Sequence, residues 1–365
     1  MTDTESRPNL YDMNQDEIVT LLSKWGEPAY RARQIVEWMY KHKAANIEAM
    51  TTLPKKLRDH LSTETRLGVL EPAGEQFSTD GQTIKRLFRL SDGQLIESVL
   101  MEYEDGRRTA CISTQAGCAM GCVFCATGQM GFARNLTSGE IVEQAVQFAR
   151  ELDAQGDRLS NVVLMGMGEP LHNYDHTLQA IRILNDPAGL GIGQRHITMS
   201  TVGLVPAIRR FADEGLQAGL AVSLHAASDE ERSKLLPINQ RYPIADLIDA
   251  VKYYIEKTGR RVTFEWALIR GENDTPEQGR KLGQLLHGLL CHVNMIPLNP
   301  TGGYEGAPSD PARVAAFQAE LEYYHVTSTV RVRRGIDIQA GCGQLKAEVL
   351  AKKAPARSSR PQRTR

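Results

Sequence analysis

Residues 161–184 read NVVLMGMGEPLHNYDHTLQAIRIL, and residues 196–203 read HITMSTVG. The first five form a strand-like apolar run; a glycine-rich turn follows, then a helical segment beginning near Asp175, then a second strand-like run. The unit recurs downstream. AGLAVSLH (218–225), VTFEWALI (262–269), CHVNMIPL (291–298) and TSTVRVR (327–333) are strand-like, and helical segments beginning near Ser138, Asp175, Val205, Ile244, Thr275 and Asp310 separate the strands. Crossovers of helix length between successive strands call for a parallel sheet, hence an α/β fold. Six or so units favour an incomplete (β/α) barrel over a flat doubly wound sheet, and periodicity alone leaves both open. In either, functional residues belong at the C-terminal ends of the strands.

Upstream the period changes. Asp80-Gly81, Asp92-Gly93 and Asp105-Gly106 punctuate the runs TIKRLFRL, QLIESVLMEY and RTACIST. Asp-Gly between alternating runs is a strong hairpin signal, so a β-meander is expected from about residue 74 to 113. Residues 10–63 read as short helices. Asn14 and Glu17 make a capping box before IVTLLSKW, and Gly26 suits its end. Pro28 opens a second helix that buries Ile35, Val36, Met39 and Tyr40, and Pro54 opens a third. The expected division is a helical unit over 1–70, a meander extension over 71–106, a barrel core over 107–345 and a disordered basic tail over 346–365.

With 365 residues, 41% of them hydrophobic and 24% charged, the composition is that of a globular protein, which excludes wholesale disorder. The start, MTDTESRPNLYD, is polar and has no apolar h-region, so no signal peptide is expected. No stretch approaches the roughly 18 consecutive apolar residues of a membrane helix. A cytoplasmic monomer without membrane contact is the expectation. The net charge of -1 gives no global attraction for nucleic acid, so any RNA-binding surface has to be local. Two segments qualify: 24–58, with eight basic residues against three acids, and 352–365, with six basic residues and no acid. Such runs ordinarily mark a solvated face and a disordered tail.

Six cysteines in a cytosolic chain do not imply a disulfide framework. Three of them, Cys118, Cys122 and Cys125, crowd into eight residues of the segment CISTQAGCAMGCVFCATGQMGF (111–132), with the spacing C-x3-C-x2-C. Three thiolates from one loop can ligate three irons of a cubane cluster and leave the fourth iron without a protein ligand. That open iron can chelate the amino and carboxylate groups of S-adenosylmethionine (SAM) and pass an electron into its sulfonium. A structural zinc site would want a fourth Cys or His close by, and none follows Cys125 before His172. The triplet resembles the signature of the radical SAM superfamily, which implies a [4Fe-4S] cluster and SAM as cofactors.

The turn GMGEP (166–170) follows the strand NVVLM; its glycines allow close backbone approach to a ligand, and Glu169 can anchor an ammonium group. A glycine-rich turn alone is weak support. By position it resembles the superfamily's motif for the SAM methionine amine, which assigns Gly168 and Glu169 to cofactor binding. The same resemblance completes the pocket with Ser200, with Ser223, Leu224 and His225, and with Asn299 in PLNP.

Of the remaining thiols, Cys342 lies between two glycines in the polar segment RRGIDIQAGCGQL, surroundings that favour a reactive thiol over a core residue. Cys111 lies on the run entering the cluster loop, and Cys291 in LLCHVNMIPL has the apolar neighbours of a core residue. LIESVLMEY, CISTQAGCAMGCVFCATGQMGFARNL, NVVLMGMGEPL, HITMSTVG, AVSLHA, PLNP and GIDIQAGCGQL together resemble, over nearly the whole chain, the RNA adenine-C2 methyltransferases of the radical SAM superfamily.

This resemblance implies methylation of C2 of an adenine in 23S rRNA at the peptidyl-transferase centre and of the adenine 3′ of the anticodon in certain tRNAs. It assigns Cys342 as a methyl carrier charged by one SAM, while a second SAM yields the 5′-deoxyadenosyl radical. Cys111 is the resolving thiol, forming a transient disulfide with Cys342 as the RNA adduct is released. Two thiols make chemical sense, because C2 lies between two ring nitrogens and is too electron-poor to attack a methyl sulfonium, whereas a carbon radical can add to it. Glu97 is the implied proton acceptor. Alternation in QLIESVLMEY sets it on one face with Leu95, Val99 and Met101, and a carboxylate among apolar neighbours is a stronger base; the bland alternative is a solvated edge-strand glutamate. The N-terminal helical unit is implied to grip RNA, and a flavodoxin-type protein to supply the electron.

Three alternatives stand beside this one. A radical-generating activase or small-molecule lyase would have no use for a Gly-Cys-Gly carrier. A zinc- or cluster-stabilised RNA-binding protein would not need the SAM-pocket segments. C8 methylation of the same rRNA adenine uses the same cysteines and cluster, and first principles do not separate it from C2 methylation.

Overall fold

The computed structural model describes residues 7–299 and 301–331. The sequence positions assigned to Cys342 and to the tail lie outside the described residues. Three helices come first, α1 (Gln15–Ser23), α2 (Tyr30–Tyr40) and α3 (Lys55–Glu64). Asn14 and Glu17 form the expected reciprocal capping box, and Ile35, Val36, Met39 and Tyr40 are buried on α2.

A ten-stranded sheet follows in the order β1 (Glu71–Phe77), β2 (Thr83–Arg89), β3 (Leu95–Glu102), β4 (Arg108–Cys111), β7 (Asn161–Leu164), β8 (Ile197–Thr201), β9 (Gly219–Ser223), β10 (Val262–Leu268), β11 (Cys291–Pro297) and β12 (Ser328–Val330). The first three joins are antiparallel hairpins, turned at Gly81, Gly93 and Gly106, all with positive φ. From β4 onward every join is parallel. RTACIST was expected in the meander. Its strand, β4, pairs antiparallel with β3 on one side and parallel with β7 on the other, so it is also the first strand of the parallel array.

From β4 to β12 the spatial order follows chain order without reversal. A doubly wound sheet needs a point where the order reverses and helices change face. Its absence among the described strands puts the crossover helices on one side, as in an open barrel. The helices are α5 (Ser138–Ala154), α6 (Tyr174–Asn185), α7 (Val205–Asp213), α9 (Ile244–Thr258), α10 (Pro276–Leu286) and α11 (Pro311–Tyr323). Alternate strand residues, among them Val162, Met199, Val222, Phe264 and Val293, bury against this layer. The intervening residues, including Ser200, Ser223, Glu265 and Asn294, face the barrel interior.

Two pieces escaped the sequence reading. The short strands β5 (Gln115–Gly117) and β6 (Phe132–Asn135) pair into a hairpin that carries the cysteine loop, with α4 (Ala126–Gln129) between them. The helix α8 (Asp229–Leu235) follows β9. No helix among the described residues is long and apolar enough to cross a membrane.

Candidate active site

The cysteine loop leaves β5 at Gly117 and returns at β6. Gly117 has φ +88°, and a Cβ there would collide with the carbonyl oxygen of Gly131, the acceptor for the Cys118 N–H at 2.9 Å. The two ends of the loop therefore close on each other through a position that only glycine fits. Val123 donates to the Leu235 carbonyl (3.1 Å), tying the loop to α8, and Cys125 caps α4. Cys118 is buried, while Cys122 and Cys125 are half-buried. Burial pushes the Cys118 thiol up to about 12 and raises Cys122 as well, with the neighbouring thiols adding to both.

All three cysteines line one cavity of about 260 Å³ with Gly168, Glu169, Ser200, Ser223 and His225. Five strand-end residues chosen from sequence thus meet the three thiols at the C-terminal mouth of the barrel. A larger cavity, about 430 Å³, lies at the opposite ends of the strands against Lys43, Asp153, Arg158 and His196. It holds none of these residues, and active sites of such barrels form at the C-terminal face.

Glu169 is buried, and both its oxygens accept backbone N–H groups: Oε1 from Leu171 (3.0 Å) and Oε2 from Val202 (2.8 Å). Its own N–H donates to Gln115 Oε1 at 2.8 Å. The carboxylate therefore joins the ends of β7 and β8 as well as facing the cavity. Burial pushes it up to about 7 against the pull of those N–H groups. Gly168 has φ +105°, and a Cβ there would run into Gln115. His225, also at positive φ, accepts the Ala267 N–H on Nδ1 (2.8 Å), so its ring proton sits on Nε2. Burial pulls its pKa down to about 3, which keeps the ring neutral.

Residues that the sequence did not single out hold this frame. Arg232 on α8 is fully buried and donates to the carbonyls of Val202 (2.6 Å), Leu224 (3.2 Å) and Ser223 (3.2 Å) and to Asn239 Oδ1 (2.9 Å). Asn273 donates to the His225 and Ala267 carbonyls. Glu265, Ile296 and Arg331 complete the cavity wall, and Glu265 Oε2 accepts from Asn294 at 2.8 Å.

Two assigned pocket residues are placed otherwise. The Leu224 side chain is buried in the core and is absent from the cavity wall, its backbone carbonyl holding Arg232. Asn299 is half-buried just beyond β11 and also does not line the cavity. Leu224 directly follows Ser223 and is turned the other way by strand alternation, while Asn299 lies two residues past the end of β11. Cys291 is buried on β11 as expected.

Cys111 ends β4, opposite Val99 of β3 and Val163 of β7, and clusters with Val99, Met101 and Met165. Met165 also lines the cavity. Glu97 lies on the same face of β3, one alternate position nearer the mouth, and is buried as the alternation predicts. Its neighbours are not only apolar, however: Lys85 Nζ on β2 stands 3.0 Å from Glu97 Oε2, and both side chains are buried. A lysine two residues before the apolar pair LF on the preceding strand gave no local sign of this partnership.

A cubane spreads its three thiolates over three irons, which three cysteines carried on one loop can supply. The adjoining cavity sets Glu169, Ser200, Ser223, Glu265 and neutral His225 beside apolar Leu164, Val202 and Ile296, the mixed lining that a small-molecule ligand such as SAM needs.

Residues 112–278 match the family model of the Radical SAM superfamily, and residues 8–67 that of the ribosomal RNA large subunit methyltransferase N-terminal domain. The chain is 56% identical over 346 residues to the dual-specificity RNA methyltransferase RlmN 1 of Myxococcus xanthus, covering 95% of this chain and 96% of that one. It is 51% identical to a probable dual-specificity RNA methyltransferase RlmN of Chloroflexus aurantiacus, covering 92% of each. A crystal structure of a radical SAM methyltransferase from Sphaerobacter thermophilus shares the fold with a TM-score of 0.90 at 51% identity, over 92% of this chain and 98% of that one. Fold and site thus define a radical SAM enzyme, with the [4Fe-4S] cluster and SAM that this superfamily implies. Within that class, the chain belongs to the RlmN family of RNA methyltransferases.

Proposed function

We propose that this enzyme methylates C2 of adenine, in 23S rRNA at the peptidyl-transferase centre and at the position 3′ of the anticodon in tRNAs. The observation that carries the reading is the alignment of Glu97, Cys111 and the cavity along one continuous face, beneath a loop of three cluster thiols. When bound at Cys118, Cys122 and Cys125, the cluster and SAM supply a carbon radical by one-electron cleavage, one SAM serving that purpose and another charging Cys342. Gly168, Glu169, Ser200, Ser223 and His225 hold the cofactor, with Leu224 and Asn299 contributing from just beyond the strand ends. Cys342, outside the described residues, presents its S-methyl group to the base. Glu97 takes the C2 proton, and Cys111 releases the product by forming a disulfide with Cys342.

The helical unit over 1–70 serves as the RNA grip, through exposed Lys24, Arg33, Lys41, Lys55 and Lys56. Extruding the target base costs a few kcal/mol of stacking, which such contacts offset. The meander over 71–106 carries the base, the barrel over 107–345 carries the radical chemistry, and the enzyme acts as a cytoplasmic monomer with a flavodoxin-type reductant.

Mass spectrometry of nucleosides from rRNA and tRNA of a deletion strain tests the reading. Loss of 2-methyladenosine from both is expected. Loss of 8-methyladenosine instead would assign C8, and an unchanged nucleoside profile would refute both.

A further inference from the structure

Lys85 is a fully buried lysine that the proposed reaction does not use. Lysine is almost never buried to this degree without a partner, and its partner is the Glu97 carboxylate at 3.0 Å. The register places the pair. Lys85 lies opposite Val99, which lies opposite Cys111, so ammonium and resolving thiol share one cross-strand row. Glu97 lies opposite Leu87, in the next row on that face toward the mouth. Around the pair the face is apolar, with Leu87, Leu95, Val99 and Met101 all buried. An ion pair in such a setting contributes little more stability than apolar residues of the same volume would.

We infer that Lys85 is a positioning residue for the methylation reaction: its ammonium, 3.0 Å from Oε2, fixes the direction in which the Glu97 carboxylate meets the C2 proton. The inference rests on Glu97 being the proton acceptor. With Lys85 beside it, Glu97 holds one oxygen along a fixed direction. As the C2–H bond breaks, its electron pair stays with the ring adduct and the proton forms an O–H bond on Glu97. Lys85 is then a buried cation facing a neutral acid, which favours return of that proton to solvent. Among the described residues, the other ionisable groups on or facing this side are Arg89 on β2, Tyr103 just after β3 and Cys111 on β4, with Glu265 on β10 and Arg331 beyond β12, the last reaching Met101. Arg86, Glu75 and Glu151 pair with one another on the opposite face of β2.

The test compares Lys85→Met, Lys85→Arg and Glu97→Gln with the wild type, each as full-length, cluster-loaded enzyme with SAM, reductant and RNA, across pH 6 to 9. Iron content and melting temperature report on folding. 5′-Deoxyadenosine reports the step before proton removal, and methylated adenosine the step after. For Lys85→Met, 5′-deoxyadenosine should form at the wild-type rate while product falls about tenfold or more at pH 7. Lys85→Arg keeps a cation at that place and should recover most of the product. Product formation by Lys85→Met equal to the wild type at every pH, or by Lys85→Arg as low as in the methionine variant, would overturn the inference and leave Glu97 standing. Full product formation by Glu97→Gln would instead remove the acceptor assignment itself, and this inference with it.

Discussion

Glu169 shows how one side chain can serve two ends. It faces the cavity that the three cysteines line, and its two oxygens also receive the Leu171 and Val202 N–H groups that close the ends of β7 and β8. Glutamine keeps the shape but not the acceptors, since its amide NH2 must face one of those two N–H groups. Glu169→Gln should therefore leave one buried donor unsatisfied, at about 1–3 kcal/mol. Thermal melting of the cluster-free protein should show the loss, and equilibrium dialysis of the loaded enzyme should show weaker SAM binding. A variant with unchanged melting would mean that the backbone contacts carry no weight. The sequence could name Glu169, because a carboxylate a few residues past a strand, in a glycine-rich turn between glycine and proline, stands out locally. Its grip on Val202 could not be read, because the two residues meet only when β7 and β8 lie side by side.

At the scale of elements, the strands and helices of the barrel were legible because each announces itself over a few residues, through period, cap or Asp-Gly turn. The cysteine spacing was legible for the same reason. What stayed hidden were elements whose purpose is a distant contact. The hairpin of β5 and β6 is short and glycine-rich, and β1 contains Pro72 and Gly74, which weaken any strand signal. DEERSKL, the sequence of α8, reads as a solvated charged helix, yet Arg232 within it is fully buried against the ends of β8 and β9. Burial pulls its guanidinium down to about 10. Four acceptors around one planar fork suit arginine and not lysine. Arg232→Lys should thus fail to substitute, destabilising the fold by about 3 kcal/mol or more and loosening the Ser223–His225 turn. Urea unfolding and SAM dialysis measure the two effects; a lysine variant equal to wild type in both would show that charge alone suffices there.

For the molecule as a whole, the question is whether the N-terminal helices form a separable module. Composition and charge set residues 1–70 apart, and a family model covers nearly the same span. Packing joins them to the rest. Leu10, Ile18, Ile35, Met39 and Leu57 belong to one continuous apolar core with Ile141, Val142 and Val146 of α5. Polar contacts cross the same seam: Asp12 accepts the Gly139 N–H at 2.7 Å, Arg150 donates to the carbonyls of Lys43 and Ala44, and Lys43 pairs with Asp153 at 2.6 Å. At Gly139 α5 and the N-terminal segment touch closely, a Cβ there falling 2.7 Å from the Asp12 nitrogen. Removing residues 1–67 would open the apolar side of α5 to water at about 25 cal/mol for each Å² exposed, and large exposed patches drive aggregation. The shortened protein is accordingly expected to aggregate, or to melt well below the full chain, and not to survive as a soluble radical enzyme that has merely lost its RNA. Size-exclusion chromatography with calorimetry decides it. A monodisperse barrel with the melting temperature of the full chain and intact SAM cleavage would show two independent bodies, and the shared core would then count for nothing in holding the enzyme together.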